Sequence, residues 1–245
     1  MRILLATVVV AGCGFEHGVD PAGQPDSGGT DPSADASVNV PPVPCKFPDG
    51  SLRLCVEFQD RKYSGSVSDT SPYQLNAIAD ELGEWTRNNQ PAAATYWNTL
   101  VRVPESPMLD ITGSITFEIW VRSLYQYGTM LSNDGQYAIG MDLSGRVTCR
   151  IGNTTVTSDP IGQDVWRHIA CTKTDEKIAI HIDGVATKCQ DASSSIPTAG
   201  TQGTKITPGF IGFIDDIRIY ARKLTALEIC THADKTQCQS GCTDD

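Results

Sequence analysis

From Leu52 onward, apolar side chains recur at every second position in short runs, the pattern of strands with one face in a core. Leu52-Arg53-Leu54-Cys55-Val56-Glu57-Phe58 alternates in this way. Residues 114–123 (SITFEIWVRS) place Ile115, Phe117, Ile119 and Val121 on one face, with Thr116, Glu118, Trp120 and Arg122 on the other. Further strands are predicted over residues 136–142, 146–151, 166–174, 177–182 and 213–220. Asp183-Gly184 separates two of these runs and predicts a two-residue hairpin, because both turn positions need positive φ. Thr225-x-x-Glu228 has the spacing of a capping box and predicts one helical turn after the last strand. Residues 74–88 keep neither period and read as a short helix or a long loop. Many short strands between Gly, Asn and Asp turns predict an all-β, two-sheet antiparallel sandwich.

The N-terminus follows another pattern. After Met1-Arg2, residues 3–12 (ILLATVVVAG) are apolar and uncharged. A membrane-spanning helix needs roughly 20 such residues, so this run fits the core of an export signal. It ends in Val10-Ala11-Gly12-Cys13, which resembles the bacterial lipobox. The resemblance implies cleavage after residue 12, lipid on the Cys13 thiol and anchoring to a membrane through acyl chains. Gly14, rather than Asp, follows the Cys and favours the outer membrane. Residues 14–44 hold six Pro, five Gly and five acidic residues with no Lys or Arg. Such a stretch cannot bury enough apolar area to offset its chain entropy and is expected to be a disordered linker. The expected organisation is therefore a signal peptide (1–12), a lipidated Cys and linker (13–44), a domain (45–230) and a Cys-containing tail (231–245).

Charge and cysteine content narrow the function classes. With 19 Lys and Arg against 29 Asp and Glu, the net charge is −10, which argues against nucleic acid and against electrostatic docking to anionic lipid. Nine Cys suit an exported chain. Setting Cys13 aside for lipid leaves eight, an even number compatible with four disulfides. Cys149 and Cys171 lie in strands joined by a short excursion and are the preferred pair. Cys45, Cys230, Cys238 and Cys242 flank the domain ends, where antiparallel first and last strands would favour an end-to-end staple. No C-x-x-C pair of the kind that binds zinc occurs.

Three separated segments then resemble the laminin-G-like branch of the concanavalin A-like jelly rolls. They are LVRVPESP (100–107) followed by SITFEIWVR, WRHIACT (166–172) running into IHIDG (180–184), and GFIDDIRIY (212–220) followed by Leu224-Thr225-x-x-Glu228-Ile229. They occur in the family's order and imply two curved antiparallel sheets with loops at the rim. Fold membership alone does not fix function.

Each candidate chemistry has a plain alternative. Bacterial β-glucanases share this fold and carry Glu-x-Asp-x-x-Glu on one strand, supplying the carboxylate pair that retaining hydrolysis needs. Here Glu118 is followed by Ile119, Trp120, Val121 and Arg122, so the second carboxylate is missing, and a nearby cation would hold Glu118 ionised rather than ready to donate a proton. His168 and His181 sit inside strand patterns, with no nucleophile motif beside them. Resemblance to the glucanase closing strand implies one structural calcium at Asp215, with Glu57 and Asp69 in the region that completes the site; the alternative is that Asp215 caps backbone amides. Trp120, Trp166, Tyr125, Tyr127 and Tyr137 are candidates for stacking on a sugar. Tyr125 and Tyr127 flank a turn and are the better exposed pair, though ordinary loop tyrosines read the same way. The expected role is a non-catalytic, surface-displayed binding or adhesion module with a glycan or envelope-protein partner. The alternatives are a purely structural envelope protein and a divergent hydrolase.

Overall fold

The computed structural model describes residue 45 and residues 49–96, 99–125, 127–192, 195–197 and 201–238. The expected signal peptide, Cys13 and the linker lie outside the described residues, as does Cys242. In chain order the strands are β1 (Leu52–Val56), β2 (Gly65–Val67), β3 (Ala77–Ala79), β4 (Gly83–Arg87), β5 (Gln90–Thr95) and β6 (Val101–Val103). β7 (Ile115–Ser123), β8 (Gly128–Asn133), β9 (Tyr137–Met141), β10 (Arg146–Ile151) and β11 (Thr154–Pro160) follow. The chain continues through β12 (Trp166–Lys173), β13 (Lys177–Ile182), β14 (Val185–Asp191), β15 (Thr204–Ile206), β16 (Gly212–Tyr220) and helix α1 (Ala226–His232). Among the described residues no helix is long and apolar enough to cross a membrane.

Two antiparallel sheets result. Sheet I has the order β14-β13-β12-β7-β16-β5-β4, with β1 also on β16, and sheet II has the order β11-β10-β9-β8-β15-β6-β3-β2. Their inner faces meet in one core, where Phe117, Ile119, Ile217 and Ile219 of sheet I and Met130, Tyr137, Ile139 and Val147 of sheet II are all buried. Phe117 and Tyr137 pack with ring centroids 5.0 Å apart. The Cys149–Cys171 disulfide joins β10 to β12 and so ties one sheet to the other. Behind sheet I, Leu224 and Ile229 pack with Leu52, Ala170 and Tyr220 in a second cluster, which holds α1 against the outer face of that sheet.

The turn and cap chemistry sets these elements locally. Asp183 and Gly184 have φ of 50° and 84°, as the β13–β14 hairpin requires. The Thr225 hydroxyl accepts from the Glu228 amide at 3.2 Å, while the Thr225 amide donates to Glu228 Oε2 at 2.7 Å, closing the capping box of α1.

Three expectations need correction. Residues 74–88 are neither helix nor loop: they contain β3 and β4, whose Ala, Gly and Glu positions carry too little apolar contrast to show a period. The terminal cysteines do not staple end to end among the described residues, since Cys45 bonds Cys55 and Cys230 bonds Cys238. Backbone pairing joins the termini instead, with Leu52 opposite Tyr220 and Val56 opposite Ile217. Nor does the packed domain stop at Cys230. His232 and Ala233 are buried, and Cys238 is bonded back to it.

Candidate functional site

β16 changes partner halfway along. Gly212–Ile214 pair with β5, Ile217–Tyr220 pair with β1, and a bulge against β7 lies between Asp215 and Arg218. The bulge gives β16 one extra residue, with Asp216 at φ 46°, so Asp215, Asp216 and Arg218 all face away from the core while Ile214 and Ile217 enter it. The hairpin of β4 and β5 turns through Asn88 and Asn89, whose φ of 49° and 64° fit a two-residue turn, and it delivers Arg87 to this bulge. Arg87 Nε donates to Asp215 Oδ2 at 2.8 Å, Nη1 donates to Asp234 Oδ2 at 2.7 Å, and Nη2 donates to Asp216. The guanidinium lies 4.3 Å from the centre of the Trp120 ring, close enough for a cation–π contact. Burial and the neighbouring Asp216 push the Asp215 carboxyl well above its usual range, and Arg87 offsets only part of that rise.

Deeper on the same face lies Glu118, fully buried on β7. His232 of α1 approaches it at 2.6 Å, Arg218 at 3.4 Å and His168 of β12 at 3.4 Å. Burial alone would raise its pKa, but His232 and His168 together hold it well below the ordinary carboxylate range. The cation expected for this role from sequence was Arg122, which instead binds Asp164 at 2.8 Å. Glu118 is thus a counter-ion enclosed by three basic side chains. Trp120 Nε1 donates to the His232 carbonyl at 3.1 Å, which closes α1 over the cluster.

Beyond Trp120 the outer face of sheet I opens. Phe213 stands opposite Arg122 on β7, and Arg122 stands opposite Trp166 on β12. Trp85 of β4 stacks on Phe213 with centroids 4.4 Å apart and planes at 24°, and Trp166 lies 6.4 Å from the same ring. Arg122 sits over the Phe213 and Trp85 rings, 5.3 Å and 6.0 Å from their centres. Tyr96 passes across Gly83, where a Cβ would lie 2.8 Å from the tyrosine oxygen and 2.9 Å from the Ala94 Cβ. Trp85 is 41% exposed and Tyr96 58% exposed. A cleft of about 250 Å³ continues from Trp166 past Arg167, Asp183 and Lys235 to Arg87 and Asp234. The result is a platform of rings with one cation over it and a polar cleft at its side.

The residues nominated from sequence are distributed otherwise. Tyr125 and Tyr127 are exposed, in the loop that continues β7 from Arg122. Trp120 and Tyr137 are buried packing residues, and Trp166 alone of the five candidates joins the platform. Trp85 and Phe213 were missed, the first because its segment carried no period and the second because it reads as an ordinary strand residue.

Calcium does not fit the three carboxylates named for it. Asp215 is held by Arg87, so a guanidinium stands where the resemblance put the metal. Asp69 is filled by donors of β1 and of its own loop: Oδ1 accepts the Cys55 and Ser71 amides at 2.8 and 2.9 Å, and Oδ2 accepts the Leu75 amide and the Ser71 hydroxyl, each at 2.7 Å. Glu57 accepts the Cys45 amide at 3.0 Å. Among the described residues, Cys45, Cys55 and Glu57 do bring three potential metal-ligand atoms within 4.8 Å of one another. The two sulfurs are spent in a disulfide, however.

Comparison with known proteins agrees with this architecture. No curated protein sequence matches the chain. Among solved structures, domain 4 of AbnA, an extracellular GH43 arabinanase from Geobacillus stearothermophilus solved with arabinotriose, superposes with a TM-score of 0.62 at 17% identity, covering 75% of this chain and 98% of that one. A botulinum neurotoxin type C structure, from work on entry through two ganglioside molecules, gives 0.61 at 13% identity and covers 75% of this chain. The binding domain of botulinum neurotoxin DC, solved with rat synaptotagmin II, gives the same values. The chain spans about half the length of the two toxin structures, 51% of each. At these identities the likeness shows a shared fold. A laminin-G family model matches residues 94–230, more than half of the sequence, and the chain therefore belongs to the concanavalin A-like lectin/glucanases superfamily.

Proposed function

We propose that this protein is a lipid-anchored, non-catalytic module that binds a glycan on the ring platform of sheet I. The observation that carries the reading is the part-exposed Trp85 ring stacked on a buried Phe213, with Arg122 above the pair and Trp166 beside it. Ring faces attract the C–H faces of sugars, and a fixed guanidinium with a polar cleft next to them orients hydroxyls. Solved neighbours support a glycan ligand, since one holds arabinotriose and another is described by its gangliosides. Synaptotagmin on a third keeps a protein partner as the second outcome of the test. Binding rather than cleavage is favoured because Glu118, the one acid of its strand, is enclosed by His232, Arg218 and His168.

A glycan array probed with the full-length chain in detergent tests this. Trp85→Ala should weaken the best ligand on the order of tenfold or more with little change in melting temperature, since the ring is part-exposed and contributes mainly to the contact. No reducing ends should appear on long incubation. Unchanged glycan affinity in Trp85→Ala would move the site elsewhere, and capture of envelope protein alone would favour the second outcome.

Anchoring rests on the lipobox-like end of the apolar decamer. Cys13→Ser should release the protein from the membrane fraction, because the acyl chains supply about 0.8 kcal/mol for each buried methylene. A Ser variant that still sediments with membranes after a high-salt wash would show that something other than lipid holds it.

A further inference from the structure

The outer face of sheet II carries a charge pattern opposite to that of the chain as a whole. Arg150 of β10 stands opposite Ala138 of β9, Ala138 opposite Ser132 of β8, Ser132 opposite Lys205 of β15, and Lys205 opposite Arg102 of β6. Side chains in register share a face, so one row holds three cations and no acid in a protein of net charge −10. The adjoining row sets Thr129 and Thr148 on either side of Gly140. Between Arg150 and Lys205 the two rows enclose a groove of about 510 Å³. Its floor is Ala138 and Gly140, the smallest side chains available, and its sides offer the hydroxyls of Thr129, Ser132 and Thr148.

Both flanking cations are available to a ligand. Arg150 Nη1 donates to the Gly135 carbonyl at 2.8 Å and Lys205 Nζ donates to Gln202 Oε1 at 2.7 Å, both neutral acceptors. Arg102, farther along, already has Asp80 at 3.4 Å. Three strand spacings separate Arg150 from Lys205, about 14 Å between backbones. That span exceeds a single ion or monosaccharide and suits a linear ligand with charges at intervals.

We propose that this groove binds an anionic oligosaccharide, carboxylated or sulfated, laid across β10, β9, β8 and β15. Its anionic groups meet Arg150 and Lys205, and its ring hydroxyls exchange hydrogen bonds with the threonine and serine side chains. A polynucleotide fits less well. The groove lining has no aromatic ring on which a base could stack, and the surrounding negative charge opposes a long uniform polyanion. This site is separate from the ring platform, which lies on the other sheet.

Fluorescence anisotropy of labelled oligogalacturonate and of a dextran sulfate oligomer, titrated with the full-length chain in detergent, provides the test. At least one should bind at low salt, and its affinity should fall about tenfold or more when salt rises from about 0.02 M to about 0.3 M, because screening acts on part-exposed charges. Lys205→Gln combined with Arg150→Gln should remove at least nine-tenths of the affinity. Ala138→Glu, which keeps both cations but places a carboxylate on the groove floor, should do the same and guards against loss of folding in the double variant. Trp85→Ala should leave this binding intact, which separates the result from the fate of the ring platform. The proposal is overturned if neither oligomer binds at low salt, if both groove variants bind undiminished, or if single-stranded DNA binds as tightly as either glycan.

Discussion

Replacing Arg87 by methionine will lower the melting temperature by on the order of 10 °C, the loss expected when one partner of a buried ion pair is removed and about 3–5 kcal/mol is forfeited. Arg87 is 4% exposed and is the cation that Asp215, Asp216 and Asp234 share. Without it, Asp216 keeps Arg218 at 3.3 Å, but Asp215 is left as a buried carboxylate beside a second one with no cation of its own, which favours its taking up a proton. The pH dependence follows from that. In the folded protein the pKa of Asp215 is already raised by burial and by Asp216, so the native state binds this proton more tightly than the unfolded chain, whose value is near 3.8. Such a group adds stability as pH falls through its folded pKa, and losing Arg87 raises that pKa further. The deficit of Arg87→Met relative to the parent should therefore shrink between pH 7 and pH 5 in paired thermal melts. A deficit that stays constant over this range would mean that Arg87 acts by packing on Trp120 and not by charge. Chelator should leave the parent's melting temperature where it is, because the tie between the β4–β5 hairpin and β16 is made by a side chain of the chain itself.

Glu118→Gln should destabilise the protein to a similar extent, again about 3–5 kcal/mol, by leaving His168, Arg218 and His232 around a neutral amide. Its pH signature has the opposite sign. The folded pKa of Glu118 is depressed below the ordinary value of 4.5, so its contribution is fully present above that value and is lost as pH falls toward the folded one. The parent should lose stability on acidification below about pH 4.5 more steeply than Glu118→Gln, to a degree measurable by denaturant titration. Parallel curves for the two proteins would remove Glu118 from the acid response. The two carboxylates lie on one face of one sheet, yet one binds its proton more tightly than in water and the other more weakly. Asp215 faces a second acid, whereas Glu118 faces only bases.

This contrast also explains what could be read from the sequence. Strands with large apolar residues at every second position, such as β7 and β16, were legible because one face must enter the core, and Asp183-Gly184 and Thr225-x-x-Glu228 were legible because their chemistry is local. β5, with the sequence QPAAAT, was not legible, since small side chains give no contrast between faces. β4, with the sequence GEWTR, was hidden because Trp85 is its one apolar side chain and no period can be read from a single position, and with it went both Arg87 and Trp85. The partner of Asp215 is 128 residues away, and which cation reaches it depends on a bulge that no period reveals. His232 looked like a tail residue because nothing in its neighbourhood indicated that α1 would fold back onto β7. The aromatic platform is assembled from β4, β7, β12 and β16, so no single segment announced it.

The position of β16 also fixes when the molecule can fold. It is the last strand to be synthesised, yet it lies at the centre of sheet I, between β7 on one side and β5 and β1 on the other. Until residue 220 has appeared, β1 has no strand neighbour and β7 lacks one edge; until residues 232–234 have appeared, Glu118 lacks His232 and Arg87 lacks Asp234. Pairings this distant along the chain form late and slowly, and they leave nascent chains open in the meantime. Under the lipid-anchored reading proposed above, that delay would favour passage through a membrane as an extended chain, because sheet I cannot close around its centre before the C-terminal strand has emerged.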